Sequence, residues 1–240
     1  MSDSGSAAVP PDLSAVIEQM FGYEGGVAEN YAAILASTGV DHGLVGPREV
    51  PRLWERHLLN CAVAAEAVPT GVRVADVGSG AGLPGLVWAI ARPDLDMHLV
   101  EPLLRRTRWL EATVGELGLT NVTIHRGRAE AFAGELEVEV VTARAVARLE
   151  ELARWCLPLL VPGGELLALK GASAATELDE ARPELERLGA VGAEVREYGV
   201  GTLDPPTRVV HVRLGRTPPS PPRGGSPKRR PRRSGPSRRR

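Results

Sequence analysis

Residues 72–85, VRVADVGSGAGLPG, decide the fold. VRVADVG is a short β-branched run closed by glycine, and PGLVWAIARP then reads as a helix that stops before Pro93. Gly78, Gly80 and Gly82 fall between the two, where missing side chains let a ligand approach the backbone and the helix amides. Three glycines at alternate positions exceed what one tight turn requires. The same alternation continues through MHLVEP, the amphipathic LLRRTRWLEATVGELGL ending near Gly118, NVTIHRG, EVEVVTARA, LEELARWCLPLL and GELLALKG. Strands and helices in this order predict a mainly parallel sheet covered on both faces.

After Gly171 a polar helical stretch runs to Leu188, and AEVREYGV and TRVVHVRL follow on either side of a turn at Asp204, Pro205 and Pro206. Two strands so joined predict an antiparallel edge. That reversed end fits a Rossmann-like class I methyltransferase of seven strands, whereas a dinucleotide dehydrogenase continues in parallel. Upstream, LSAVIEQMFG, VAENYAAILAST and REVPRLWERHLLNCAVAAEAV read as helices, with Leu53, Trp54, His57, Leu58 and Cys61 on one apolar face. On that face His57 is expected to be a core histidine with its nitrogens satisfied. The expected division is a disordered start at 1–12, a helical segment at 13–71 packed on the core, a donor-binding core at 72–215 and a basic tail at 216–240.

The charge balance divides the chain. Residues 217–240 hold nine Lys or Arg and no acid, which leaves 20 basic against 30 acidic residues in the body. The tail, rich in Pro, Gly, Ser and Arg, cannot bury enough surface to offset its chain entropy and is expected to be disordered. It would serve either as an arm that gathers RNA or as an extension affecting only solubility. No apolar run reaches the roughly 18 residues of a membrane span, and MSDSGSAAVPPD lacks the features of a secretory signal, so a cytoplasmic location is expected. Cys61 and Cys156 are isolated thiols within apolar helical patterns; buried and inert, they predict neither a disulfide nor a metal site.

Two cofactors compete for the glycine loop. Gly80, Gly82 and Gly85 also spell the GxGxxG of a nicotinamide site, with Glu101 about 20 residues on, and either ligand would offer its ribose hydroxyls to Glu101. Asp76 tips the balance: an acid two residues before the first glycine suits a cationic sulfonium and ammonium, and would repel a pyrophosphate. S-adenosylmethionine is therefore the expected donor.

DVGSGAGLPG, with the upstream RHLLN, the midchain RAVARLEELARWCLPLL and the later LALKG, resembles the glucose-inhibited division protein B family, the 16S rRNA (guanine(527)-N7)-methyltransferases. The resemblance covers roughly residues 13–214. It implies that Gly78 and Leu83 line the donor pocket, with Ala129 and Glu130 on the adenine side after the third strand. Arg144 matches an arginine at the donor and acceptor pocket, and Lys170 and Arg208 match basic positions expected to contact RNA, a role also expected of Arg128. The expected partner is 16S rRNA or the small ribosomal subunit, with no membrane and no metal. Where the family commonly has Asp and Ser after RHLL, this chain has Asn60 and Cys61. Glu130 reads equally as a surface acid at a helix start. Arg144 and Lys170 stand at carboxyl ends of parallel strands, where open α/β sheets bind ligands. Arg105, Arg106 and Arg108 either touch RNA or are simply solvated.

Guanine N7 carries an in-plane lone pair and has no proton to lose, so its methylation requires alignment and no general base. The chain has no Asn-Pro-Pro-Tyr or Asp-Pro-Pro-Tyr sequence for exocyclic amines and no cysteine placed for attack on a pyrimidine. Arg144 is accordingly expected to position. The alternatives are a methyltransferase acting on another RNA or a small molecule, or a non-catalytic RNA-binding protein that retains a vestigial donor site.

Overall fold

The computed structural model describes residues 9–216. The expectations for the tail from 217 and for residues 1–8 fall outside the described residues.

Helix α1 (Ser14–Phe21) and α2 (Gly25–Ile34) lead into an irregular helical stretch, Pro47–Arg52, Leu53–Leu59, α3 (Asn60–Ala62) and Val63–Ala67. Pro51 lies inside the first of these turns, which is 3-10, and a wide π turn follows over Leu53–Leu59. Proline has no N–H to give and crowds the preceding turn, so the regular ladder cannot pass through it. The wide turn is a local accommodation of a kind common at functional sites.

Strands β1 (Arg73–Val77), β2 (Asp96–Glu101), β3 (Val122–Arg126), β4 (Val138–Arg144), β5 (Leu160–Lys170), β6 (Ala190–Tyr198) and β7 (Thr207–Leu214) form one sheet in the order β3-β2-β1-β4-β5-β7-β6. The five strands from β3 to β5 in that order run parallel; β7 is antiparallel to both β5 and β6. The hairpin read from the sequence is present, with its second strand inserted between β5 and β6. Helices α4 (Gly85–Ala91), α5 (Leu104–Leu117), α6 (Leu149–Cys156) and α7 (Ala174–Arg187) cover the faces.

Alternation along each strand divides two cores. Val74, Leu99, Val140 and Leu167 face α1, α2, the 53–68 stretch and α4, whereas Ala75, Val100, Val141 and Leu166 face α6 and α7. The N-terminal helices thus share one core with the sheet. Tyr31, fully buried on α2, donates its hydroxyl to the Ala81 carbonyl at 2.5 Å and fastens the glycine loop to that layer. The chain reverses direction across the sheet between β1 and β4, so the crevice at their carboxyl ends is where a ligand site is expected. Among the described residues no helix is long and apolar enough to cross a membrane.

Candidate active site

A cavity of about 370 Å³ opens at that crevice, walled by Val77 and Gly78 after β1, Glu101–Leu103 after β2, Gly127–Glu130 after β3, Ala145 and Val146 after β4, and Arg106 and Trp155. Five expected site residues, Gly78, Glu101, Arg128, Ala129 and Glu130, meet here. The backbone at Gly78 has φ +73°, and a Cβ there would stand 2.9 Å from Val146 Cγ2. Only glycine keeps this wall open without strain. Glu101 is buried at 1% exposure, with Oε2 accepting from Gly80 N–H at 3.0 Å and Oε1 from Leu103 N–H at 2.9 Å. Arg106 stands 3.6 Å from Oε2. A carboxylate has lone pairs to spare beyond these bonds, so Glu101 can still accept from ribose hydroxyls.

Other loop residues work on the loop itself. Asp76 is fully buried and does not reach the cavity: its Oδ2 accepts from Gly85 N–H at 3.0 Å, tying β1 to the start of α4. Its Oδ1 has no hydrogen-bond partner among the described residues, and burial pushes the carboxyl up to about 7. The carboxyl, expected to face the donor, is thus turned under the loop, off the cavity wall. Gly80 serves as the donor to Glu101 and is absent from the cavity wall. Gly82, at φ +83°, lets the loop close on Leu86, which a Cβ would meet at 2.5 Å. Leu83 packs half-buried against the core shared by the N-terminal helices and the sheet and is absent from the cavity wall.

Two further cavities follow, the smaller bordering the first and the larger bordering the smaller. One, of about 390 Å³, is walled by Asn60, Arg144, Ala145, Ala147, Leu169, Lys170, Gly171 and Glu177. Ala145 borders both it and the donor cavity. The other, of about 750 Å³, lies between the N-terminal stretch and the 202–205 turn and is walled by Glu49, Arg52, Arg56, His57, Asn60 and Arg144 among others. Ala145 has φ +55°, a conformation that costs an L-residue energy and recurs at ligand sites.

Arg144 faces these flanking cavities, off the donor wall. Its Nη1 donates to the His57 carbonyl at 3.3 Å and to Cys61 Sγ at 2.9 Å, and its Nη2 to the Arg56 carbonyl at 3.1 Å and to His57 Nδ1 at 2.6 Å. The guanidinium is thereby clamped onto the 53–62 turn. His57 has both nitrogens occupied, as expected of a core histidine, yet it is only half-buried and lines the larger cavity. Burial and the Arg144 charge lower its pKa. Cys61 is a free, buried thiol, pushed up by burial, with Arg144 as its neighbour.

Two residues expected to contact RNA are paired with acids of the chain. Lys170 Nζ donates to the Ala147 carbonyl at 2.6 Å and pairs with Glu177 at 2.7 Å, which fixes the 145–148 loop. Arg208, opposite Lys170 in the β5–β7 register, pairs with Glu197 at 2.9 Å. The Lys170 pair lies within the fold and the Arg208 pair at its surface. By contrast Arg52, Arg56, Arg105, Arg108 and Arg128 are exposed and make no ion pair among the described residues. The sequence reading missed Val146 and Trp155 on the donor wall and Arg52, Arg56 and Asn60 on the flank. The three-residue step from His57 to Asn60, which puts both on one helical face, was the available signal.

Residues 26–201 match the family model described as GidB, rRNA small subunit methyltransferase G. A Salinispora arenicola protein named ribosomal RNA small subunit methyltransferase G is 55% identical over 217 residues, covering 88% of this chain and 90% of its own. A Streptomyces avermitilis protein of the same name is 54% identical over 213 residues, with the same 88% and 90% coverage. Among solved structures, a methyltransferase from Pyrococcus furiosus superposes with a TM-score of 0.52 at 13% identity over 66% of this chain and 83% of that one, a likeness of fold alone.

Proposed function

Because the chain belongs to the GidB family of rRNA small subunit methyltransferases, we propose that it methylates N7 of a guanine, the 527 position named by the family resemblance, in 16S ribosomal RNA. S-adenosylmethionine supplies the methyl group, carried on a sulfonium. The observation that carries this reading is the adjacency at Ala145: the cavity bordered by Gly78 and Glu101 meets, at this one residue, a second cavity walled by Arg144 and Asn60. A donor and an acceptor base held on either side of Ala145 would be in reach of one another.

The donor cavity suits its ligand chemically. Glu101 is positioned for ribose hydroxyls, Ala129 and Glu130 for the adenine side, and the Gly78 wall leaves room that a Cβ would fill. On the acceptor side the lone pair of N7 forms the new bond to the methyl carbon as the carbon–sulfur bond breaks, and positive charge passes to the purine. No proton moves, so these residues need only hold the base in line and exclude competing geometries. Arg144 contributes by fixing the 53–62 turn that walls the acceptor space. Arg52 and Arg56 on the rim supply charge for phosphates, which an acidic body otherwise lacks. A ribosomal RNA substrate places the protein in the cytoplasm.

The test is methylation of small subunits, and of naked 16S rRNA, isolated from cells lacking this protein, followed by mass-spectrometric mapping of the RNA. N7-methylguanosine at a single site on either substrate supports the reading. Methyl transfer only to small molecules, or RNA binding with no transfer, overturns it.

A further inference from the structure

We propose that Asn60 reads the acceptor guanine, its carboxamide oxygen accepting from N1–H and its amide nitrogen donating to O6 while N7 faces the donor cavity; this rests on the guanine-N7 reading above. Most polar groups on the acceptor wall are committed to bonds within the fold. Of the four polar side chains around the cavity that meets the donor site at Ala145, Lys170 is bonded to Ala147 and Glu177, and Glu177 accepts from Lys170, Ser173 and the Leu149 amide. Each terminal nitrogen of Arg144 makes two bonds to the 56–61 turn. The Asn60 carboxamide makes no hydrogen bond among the described residues, and it lines both flanking cavities.

Its backbone, in contrast, is held from several sides. The Asn60 N–H donates to the His57 carbonyl, its own carbonyl accepts from Thr207 Oγ1 at 2.9 Å, and Arg144 grips His57 and Cys61 on either side. An open amide on a fixed backbone is the arrangement a recognition group needs, because little ordering remains to be done when the ligand arrives.

Guanine supplies the complement. With N7 turned to the donor, O6 lies next on the ring perimeter and N1–H after it, an acceptor beside a donor. A carboxamide presents a donor beside an acceptor and can meet both. Adenine shows an amino group and a bare N1 at those two positions and would be met only with the carboxamide turned over, so the contact orients the guanine and does not by itself exclude adenine. The exposed Arg52 and Arg56 on the outer rim suit phosphate and leave base reading to Asn60.

The chemistry separates this role from a structural one. Asn60→Asp replaces the donor to O6 with a second acceptor, so its best partner becomes the N1–H and N2–H2 pair. Inosine keeps O6 and N1–H and lacks the N2 amine. Small subunits reconstituted from 16S rRNA carrying guanosine or inosine at the methylated position would be tested in single-turnover methylation, with S-adenosylmethionine affinity and Tm measured for each protein. Wild type is expected to use both RNAs within about threefold. Asn60→Ala should lose roughly 10- to 100-fold on guanosine with donor affinity and Tm unchanged, the span of one bidentate base contact. Asn60→Asp should prefer guanosine over inosine by roughly tenfold or more. Variants within about threefold of wild type, with no new preference against inosine, overturn the assignment, as does a loss accompanied by lowered Tm and donor affinity. Failure of wild type to form N7-methylguanosine would instead overturn the functional reading on which the assignment rests.

Discussion

Arg144 Nη2 stands 2.6 Å from His57 Nδ1, while His57 Nε2 stands 3.1 Å from Glu49 Oε2. A guanidinium can only donate, so Nδ1 is the accepting nitrogen and the ring proton sits on Nε2, directed at the carboxylate. The imidazole is neutral in this chain of contacts, and burial together with the Arg144 charge lowers its pKa. Arg144→Met should therefore move the His57 titration, followed by NMR, upward toward its ordinary value of about 6.5. The same variant should slow single-turnover methylation more than about tenfold; a change within threefold, under about 1 kcal/mol on the barrier, would remove Arg144 from the positioning role. An unmoved His57 titration would remove the contact.

His57 also carries a stability signature. Because the folded pKa lies below the unfolded one, the unfolded chain takes up a proton first as pH falls, and stability drops between about 6.5 and the lower folded value. Above 6.5 this group contributes no slope. His57→Gln should flatten that segment of the urea stability curve, and parallel curves for the two proteins would contradict it.

Gly78 leads to a prediction about the donor wall. Gly78→Ala adds a methyl at φ +73° against Val146 Cγ2, so it combines backbone strain with a steric clash. The expected cost is about 1–3 kcal/mol of stability, with S-adenosylmethionine affinity reduced in calorimetry. Adding Val146→Ala should restore the steric part and leave the strain. Full-strength donor binding by Gly78→Ala alone would show that the wall is not where the donor lies.

Lys170 and Arg52 separate structural from RNA-facing charge. Lys170 is bound to Ala147 and Glu177, whereas Arg52 is exposed on the wall of the larger cavity, which shares Asn60 and Arg144 with the acceptor cavity. Lys170→Met should destabilise the fold by about 1–3 kcal/mol, since it leaves a half-buried carboxylate without its compensating charge. It should leave the salt dependence of RNA binding unaltered. Arg52→Ala should do the reverse, keeping Tm and reducing the slope of log affinity against log salt by about 0.7–0.9. Equal slope changes in both variants would put Lys170 back on the RNA.

The elements were legible because their periods are clean. Alternation in VRVADV and MHLVE and the three- and four-residue steps of α5 locate strands and helices to within a few residues. Insertion of β7 between β5 and β6 is a matter of pairing between distant segments, on which local periodicity is silent. The donor wall was partly legible, since glycines and an acid after successive strands converge at one edge of a parallel sheet. Side-chain direction was not: Asp76 turns under the loop, Leu83 turns into the core and Lys170 turns back to Glu177. The acceptor wall was the least accessible, because it joins Asn60 to Thr207 and Arg144 to the 56–61 turn across long sequence separations.

Asp76 makes the last prediction, on pH. Its carboxyl is fully buried, has one oxygen unpartnered among the described residues, and is pushed up to about 7 chiefly by burial, against the lowering effect of the Gly85 N–H. The sign is opposite to that of a salt-bridged acid. Between the ordinary carboxylate value near ~4 and about 7, the unfolded chain has released a proton that the folded chain keeps, so stability falls as pH rises, on the order of 1.4 kcal/mol per pH unit. Below and above that window this group adds no slope. Asp76→Asn keeps an acceptor for the Gly85 N–H and is uncharged at every pH, so its stability relative to wild type should increase steadily through the window and level off beyond it. Urea denaturation midpoints of the two donor-free proteins, taken at intervals from pH 4.5 to 8 (chosen to span about 4 to 7), measure the difference directly, and contributions of groups that do not interact with Asp76 cancel in it. A constant difference across the series would mean that Asp76 ionises in the folded protein as readily as in the unfolded chain, and that the buried carboxyl is not the source of the loop's pH response.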